Sequence, residues 1–395
     1  PFLIIRIVFS ALRRKSGLKF IMQRLGWANP KVNGETIWIH ASSIGETKIA
    51  LTLYSKLSLL YPETLFFITT TTSTSKSLIT ESKKLKHYYL PLDWLLTIKR
   101  FITLIKPKIC IVIETEIWPN LINICNKNKI PIMIVNGRIS SKTSSANNLI
   151  KSIYKTALQK IDLIMCKSEL EEENFKSLGG PKLKTEVIGN IKFSQYNTIA
   201  NQDNIINKKY VLALSTHPDE ERQIITEWLK TYGKKVLLVI APRHPERLGD
   251  ILSDLPLDML EIAIRSKNER IRSSTQIYIA DTIGETESLI EHSEFIFVGG
   301  SLVDHGGQNF LEAASYGKSI IVGPYMYNFI SETEEFLKNN AMIMVKSSNT
   351  LKHVFERLLK SKQRRELFGE NAKKIMIAKK DIVDNYCKTI KRFIS

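Results

Sequence analysis

Three stretches of the first half place acids and bases where a reaction would need them. The first, W-I-H-A-S-S-I-G-E (38–46), reads as an apolar strand, a turn of small residues and a helix start. Gly45 allows a ligand close to the backbone, and Glu46 falls at the carboxyl end of the strand. There Glu46 is either a helix N-terminal charge and nothing more or a general base. The second role needs a proton affinity raised by a dry surrounding. In the second stretch, I-C-I-V-I-E-T-E-I-W-P-N (109–120), Glu114 and Glu116 end a wholly apolar strand just before Trp118 and Pro119. Capping accounts for one acid at a strand exit; two in a basic region point to a site. The third comprises the turns Asn136-Gly137-Arg138 and Gly189-Asn190-Ile191-Lys192-Phe193. Arg138 and Lys192 either hold an anionic group there or belong to solvated basic loops.

The second half offers turns in place of acids. Ser215-Thr216-His217 and Pro242-Arg243-His244 each follow a predicted strand, and Ile283-Gly284-Glu285 leads into a predicted helix. Val298-Gly299-Gly300-Ser301 runs on to D-H-G-G-Q-N-F-L-E-A-A (304–314), which contains Asn309, Phe310, Leu311 and Glu312. Glycine turns at helix starts are anion sites, because unpaired amides and the helix dipole face the ligand. Ser215, His217, Arg138, Gly300 and Ser301 are accordingly candidate donor or acceptor contacts, and Glu312 is placed to accept from ribose hydroxyls. No G-x-G-x-x-G follows the first strand and no phosphate-binding G-x-x-x-x-G-K-[ST] occurs. Without H-x-x-x-H or clustered Cys and His, no catalytic metal is expected, and no cofactor.

The elements that must carry these residues alternate. Short β-branched runs predict strands over 36–41, 65–70, 87–91, 108–113, 130–135, 161–166 and 186–188. A second set follows over 210–215, 235–241, 259–264, 276–280, 295–299, 319–323 and 342–345. Helical patterns such as 46–60, 94–105 and 169–178 lie between them. Apolar runs without clean alternation are strands buried on both faces, so parallel sheets covered by helices are predicted, with ligands at the strands' carboxyl ends. The polar stretch 201–209 reads as a linker, dividing the chain into 1–204 and 205–395. A long basic helical stretch over 364–394 is expected, packing back on the first domain.

At 395 residues the chain suits two domains. Residues 1–200 hold 29 Lys and Arg against 13 Asp and Glu, a balance of +16, whereas the remainder is +2. By charge alone the first half expects an anionic partner (a membrane surface, a phosphorylated lipid or nucleic acid), the alternative being solvated lysines in a Lys- and Ile-rich composition. The opening P-F-L-I-I-R-I-V-F is too short to span a bilayer. Followed by Arg13, Arg14, Lys15, Lys19 and Arg24 among apolar residues, it reads either as an interfacial anchor or as an ordinary amphipathic helix. The four cysteines are scattered without metal or disulfide spacing.

Taken in order, W-I-H-A-S-S-I-G-E, E-T-E-I-W-P-N, G-N-I-K-F, P-R-H-P-E-R and G-G-S-L-V-D-H-G-G-Q-N-F-L-E-A-A resemble the motifs of the 3-deoxy-D-manno-octulosonic acid (Kdo) transferases of lipopolysaccharide assembly. The resemblance implies a GT-B fold, two doubly wound Rossmann-like domains facing across a cleft. It implies CMP-Kdo as donor and a lipid A precursor (lipid IVA) as acceptor at the cytoplasmic face of the inner membrane. It also implies an inverting reaction without bound metal. Carried over by position, Glu46 would be the base, and Glu114 and Lys192 would stabilise the transition state. CMP contacts would be Pro242, Arg243, Ile283, Gly284, Glu285, Asn309, Phe310, Leu311 and Glu312. Gln308 stands where the family pattern leads us to expect His. The alternatives are another GT-B enzyme using a UDP-sugar (transferase or 2-epimerase) and a basic RNA-binding protein. The second lacks any RNP-like, KH or dsRBD pattern, and no nucleic-acid partner is expected.

Overall fold

Ile, Val and Leu dominate the predicted strands, and a strand apolar on both sides is stable only inside a parallel sheet with helices on each face. The computed structural model builds two such sheets. It describes residues 17–30, 32, 34–140, 143, 145–196, 202–231, 236–255 and 260–394. The apolar opening and Arg13, Arg14 and Lys15 lie outside the described residues.

The chain divides into two compact units, Pro1–Gln195 with Asp381–Ser395, and Tyr196–Lys380. The boundary thus falls earlier than 204, and the last segment belongs to the first unit. Unit 1 holds β1 (Thr36–His40), β2 (Leu65–Thr70), β3 (Leu85–Tyr89), β4 (Pro107–Ile113), β5 (Ile132–Gly137), β6 (Leu163–Cys166) and β7 (Thr185–Val187). Their order is β3-β2-β1-β4-β5-β6-β7, with every pairing parallel. One face buries Trp38, Phe67 and Phe101 together, the Trp38 and Phe101 rings meeting edge to face at 5.3 Å. Each such side chain contributes roughly 2–3 kcal/mol by leaving water.

Unit 2 repeats the plan with β8 (Tyr210–Thr216), β9 (Leu237–Pro242), β10 (Ile262–Ile264), β11 (Ile277–Ile279), β12 (Ile296–Val298), β13 (Ile320–Val322) and β14 (Ile343–Met344). The order is β10-β11-β9-β8-β12-β13-β14, again parallel. Phe295, Phe297, Trp228 and Phe355 anchor its core. In each sheet the strand order reverses beside the first strand, between β1 and β4 and between β8 and β12. That reversal opens a crevice at the strands' carboxyl ends, where doubly wound sheets bind ligands.

Three expectations need correction. The basic C-terminal stretch is two helices, Lys362–Ala378 and Ile382–Lys391, not one. The second turns onto unit 1: Val383 N–H donates to Ser194 Oγ at 3.1 Å, and the buried Tyr386 hydroxyl donates to the Gly189 carbonyl at 2.8 Å. The linker is pinned to unit 2, since Gln202 N–H donates to Glu291 and Ile206 is 1% exposed. Arg24, read as part of a basic surface flank, is buried and donates to the Leu90 carbonyl. Burial lowers its pKa to about 10, against an opposing pull from Glu116.

Candidate active site

Unit 1 collects three carboxylates around the carboxyl ends of β1 and β4. Ser43 caps the helix Ile44–Leu60, accepting from Glu46 N–H at 3.2 Å. The Glu46 side chain folds back over that cap. Ser42 N–H donates to one carboxylate oxygen at 2.7 Å and the Ser43 hydroxyl to the other at 2.8 Å. Glu46 is thus a charge at the helix N-terminus, bonded to the cap hydroxyl and to the amide before it, and it sits in a dry place, 9% exposed. Burial, then the charges of Glu116 and Glu114, push its pKa up to about 7 against the two hydrogen bonds.

Glu114 follows β4 in the left-handed region (φ 59°), a conformation that costs a non-glycine residue of order 1 kcal/mol. Arg138 Nε lies 2.8 Å from one of its oxygens, an ion pair without hydrogen-bond alignment. Lys192 Nζ lies 3.4 Å from the other. Burial pushes the Glu114 pKa upward, but Lys192, Arg138 and Lys167 outweigh it and hold the group below the ordinary carboxylate range. Asn136, also left-handed, donates to Glu114 at 3.4 Å and accepts from Ile191 N–H at 3.0 Å. It thereby ties β5 to the turn that carries Lys192.

Glu116 accepts from the Trp118 indole at 2.8 Å and lies 3.8 Å from His40 Nε2. Burial raises its proton affinity, and the His40 ring, Ser42 hydroxyl and Trp118 indole together reverse that. The Thr69 hydroxyl receives the Trp38 indole N–H and meets His40 Nδ1, both at 2.9 Å. Its remaining proton suits Nδ1, which leaves the Nε2 proton facing Ser42 and Glu116. One carboxyl thus titrates near neutrality beside two whose pKa values are held below the ordinary carboxylate range, a division of environments that separates acid–base roles.

Unit 2 gathers cationic and aromatic-nitrogen groups after β8 and β9. His217, nearly buried, accepts from Gln308 Nε2 at 2.9 Å and stacks on His305 with centroids 4.2 Å apart. Burial, then His305, His244, Arg247 and Arg243, lower its pKa to about 4. Arg243 is exposed beside buried Pro242 at the end of β9, and Ser215 adopts φ 55°. Glu285 is clamped by Arg265 Nε at 3.0 and 3.1 Å, beside the exposed turn of Ile283 and Gly284. The Asn309 side-chain amide donates to the Tyr196 hydroxyl at 2.7 Å.

Not every candidate can face a ligand as expected. The amides of Gly300, Ser301 and Leu302 converge on the buried Glu220 carboxylate, and the Ser301 hydroxyl bridges Val298 and Gly323. These turn groups build the loop and are not open to an anion. Phe310 packs its ring on Phe336 and Phe329, and Leu311 is fully buried. Only their main chains can meet a nucleotide. His40, Asn136 and Glu220 were missed as site-builders; the signal available was polarity at the end of an apolar strand or at a helix start. Among the described residues no group of three or more His, Cys, Asp and Glu is arranged to hold a metal ion.

Paired parallel sheets of this order, with acids on one and nucleotide-type turns on the other, define a GT-B type protein. Solved structures agree on the fold: HepE of Anabaena in complex with UDP-glucose superposes with TM-score 0.63 at 12% identity over 90% of this chain and 99% of its own. UDP-GlcNAc 2-epimerase from Neisseria meningitidis gives 0.59 at 14%, over 91% and 100%. Residues 19–195 match the family described as 3-deoxy-D-manno-octulosonic-acid transferase (kdotransferase). The 3-deoxy-D-manno-octulosonic acid transferase of Haemophilus influenzae is 32% identical over 91% of this chain and 87% of the relative. That of Rickettsia bellii is 34% identical over 90% and 88%. The chain belongs to the Kdo transferase family.

Proposed function

We propose that this glycosyltransferase moves Kdo from CMP-Kdo to a hydroxyl of a lipid A precursor, lipid IVA, by a single inverting displacement with Glu46 as base. The acceptor O–H gives its proton to Glu46 as its oxygen bonds to the anomeric carbon. The bond from that carbon to the CMP phosphate oxygen breaks, and the electron pair leaves with CMP. The observation that carries this reading is the split among the three carboxyls. Glu46, raised to about 7, is a base matched to neutral pH, while Glu114 keeps its charge and fixes Lys192 and Arg138. Lys192 and Arg138 are thereby held where an anionic group of either substrate can meet them.

On unit 2 the CMP contacts are assigned to Arg243 for the phosphate, to the backbone at 283–285 and 309–311, and to Glu312 for the ribose. His217, held neutral, and Ser215 line the same carboxyl end of the sheet. Association with the inner membrane at its cytoplasmic face is proposed through unit 1. Leu149, Ile150 and Ile153 are exposed on the helix Asn148–Leu158 beside Lys155, and Trp94, Leu95 and Leu96 are exposed near Lys99 and Arg100. Apolar side chains among cations suit an anionic lipid interface. No described helix is long and apolar enough to cross a membrane. The test is release of CMP from CMP-Kdo, generated in the assay, on addition of tetraacylated lipid A precursor. Acceptor-dependent release with Kdo appearing on the lipid supports the reading; turnover of UDP-sugars instead would replace it.

A further inference from the structure

Unit 2 has a cavity of about 590 Å³ between the segment before β8 and the loop joining β10 to β11, lined by none of the residues assigned to CMP. Its size is that of a small-molecule site. Four cations line it: Lys208, Arg265, Arg270 and Arg272. Lys208 is fixed in place, its ammonium donating to the carbonyls of Ser273 and Thr275 at 3.3 and 3.0 Å. Arg270 and Arg272 have no carboxylate partner among the described residues. The one carboxylate in the lining, Glu269, already accepts from Ile264 N–H at 2.9 Å. Tyr278 lies against Arg265 and adds a hydroxyl to the wall.

We propose that this cavity is a second anion site, for a small phosphorylated anion, separate from the nucleotide turns. Like charges gathered at one opening repel one another, and an entering anion relieves that repulsion. Guanidinium groups suit phosphate, since each presents two parallel N–H donors. Arg265 links the cavity to the rest of unit 2, because its guanidinium also clamps Glu285. An anion that draws on Arg265 loosens the turn at Ile283 and Gly284, so occupancy of the cavity changes affinity for CMP without excluding it. Binding at the cavity rests on its own residues and does not depend on the transfer reaction; the effect on CMP rests on the assignment of 283–285.

The test uses the full chain and inorganic pyrophosphate as probe, titrated by calorimetry at low salt. Native protein is expected to bind it, and Arg270→Ala with Arg272→Ala to raise the Kd about tenfold. CMP affinity measured without pyrophosphate stays unchanged in that double variant. Lys83→Ala with Lys84→Ala, which removes the same charge from exposed positions in unit 1, leaves the pyrophosphate Kd within about twofold. Far-ultraviolet circular dichroism and the melting temperature confirm that the variants are folded. No pyrophosphate binding by the native protein overturns the proposal, as does equal weakening in both double variants. So does displacement of pyrophosphate by CMP in simple competition, which would place the probe in the nucleotide turns.

Discussion

Lys192 Nζ stands 3.4 Å from Glu114 Oε1, with Arg138 2.8 Å from the second oxygen of the same carboxylate. A buried acid between two partly exposed cations keeps both where a substrate anion can reach them. Its removal leaves them to repel each other. Glu114→Gln is therefore expected to lower unfolding stability by about 2 kcal/mol, less than for a wholly buried pair because both cations can rehydrate. Urea denaturation measures it; a change below about 0.5 kcal/mol would show the pair to be energetically neutral.

Glu46 predicts the pH dependence. Its proton must be off for the base to act, so kcat/KM should climb about tenfold per pH unit below about 7 and level off above. Stability runs the other way. The folded state binds this proton more tightly than the unfolded chain, whose value is 4.5. The group's contribution is thus fully present below 4.5 and is lost as pH rises to about 7, by on the order of 3 kcal/mol. Relative to native, Glu46→Gln should gain stability over that window. An activity profile flat from pH 5 to 8 would contradict this assignment.

His217 should stay neutral across the physiological range. Burial and the neighbouring His305, His244, Arg247 and Arg243 hold it near 4, and its Nε2 accepts from Gln308. Nuclear magnetic resonance of the ring protons is expected to show no titration of His217 between pH 5.5 and 8. Midpoint movement near 6.5 would mean that the ring is exposed.

Gly299 lies against β8 so tightly that an added Cβ would stand 2.4 Å from the Ser215 carbonyl oxygen and 2.6 Å from Thr216 Cα. Both contacts are backbone and cannot yield cheaply. Gly299→Ala should cost about 3 kcal/mol and weaken CMP binding by displacing Ser215 and His217. Native-like melting with unchanged CMP affinity would show that the strands can part there.

Much of this was legible because the chain is locally consistent. Isoleucine-rich runs mark the strands, which depend on burial more than on partners, and the small-residue turn before Glu46 marks the start of the helix. Relations across long separations were not legible. Glu220 claims the amides of Gly300, Ser301 and Leu302 some eighty residues later, so a turn that reads as an anion site is closed by an internal carboxylate. Arg24 looks like a surface cation because nothing near it in sequence reveals the Leu90 carbonyl it donates to. The break at 379–381 is set by packing of Tyr386 and Val383 on unit 1, with no proline or glycine to mark it.

The central claim, that Glu46 takes the acceptor's proton, is tested most directly by Kdo transfer from CMP-Kdo to lipid IVA with native protein and Glu46→Gln, beside CMP binding by each. The account predicts product from the native protein, a loss of at least a hundredfold in the variant, and equal CMP affinity. Transfer by Glu46→Gln at close to the native rate would contradict it and move the search for the base to Glu116.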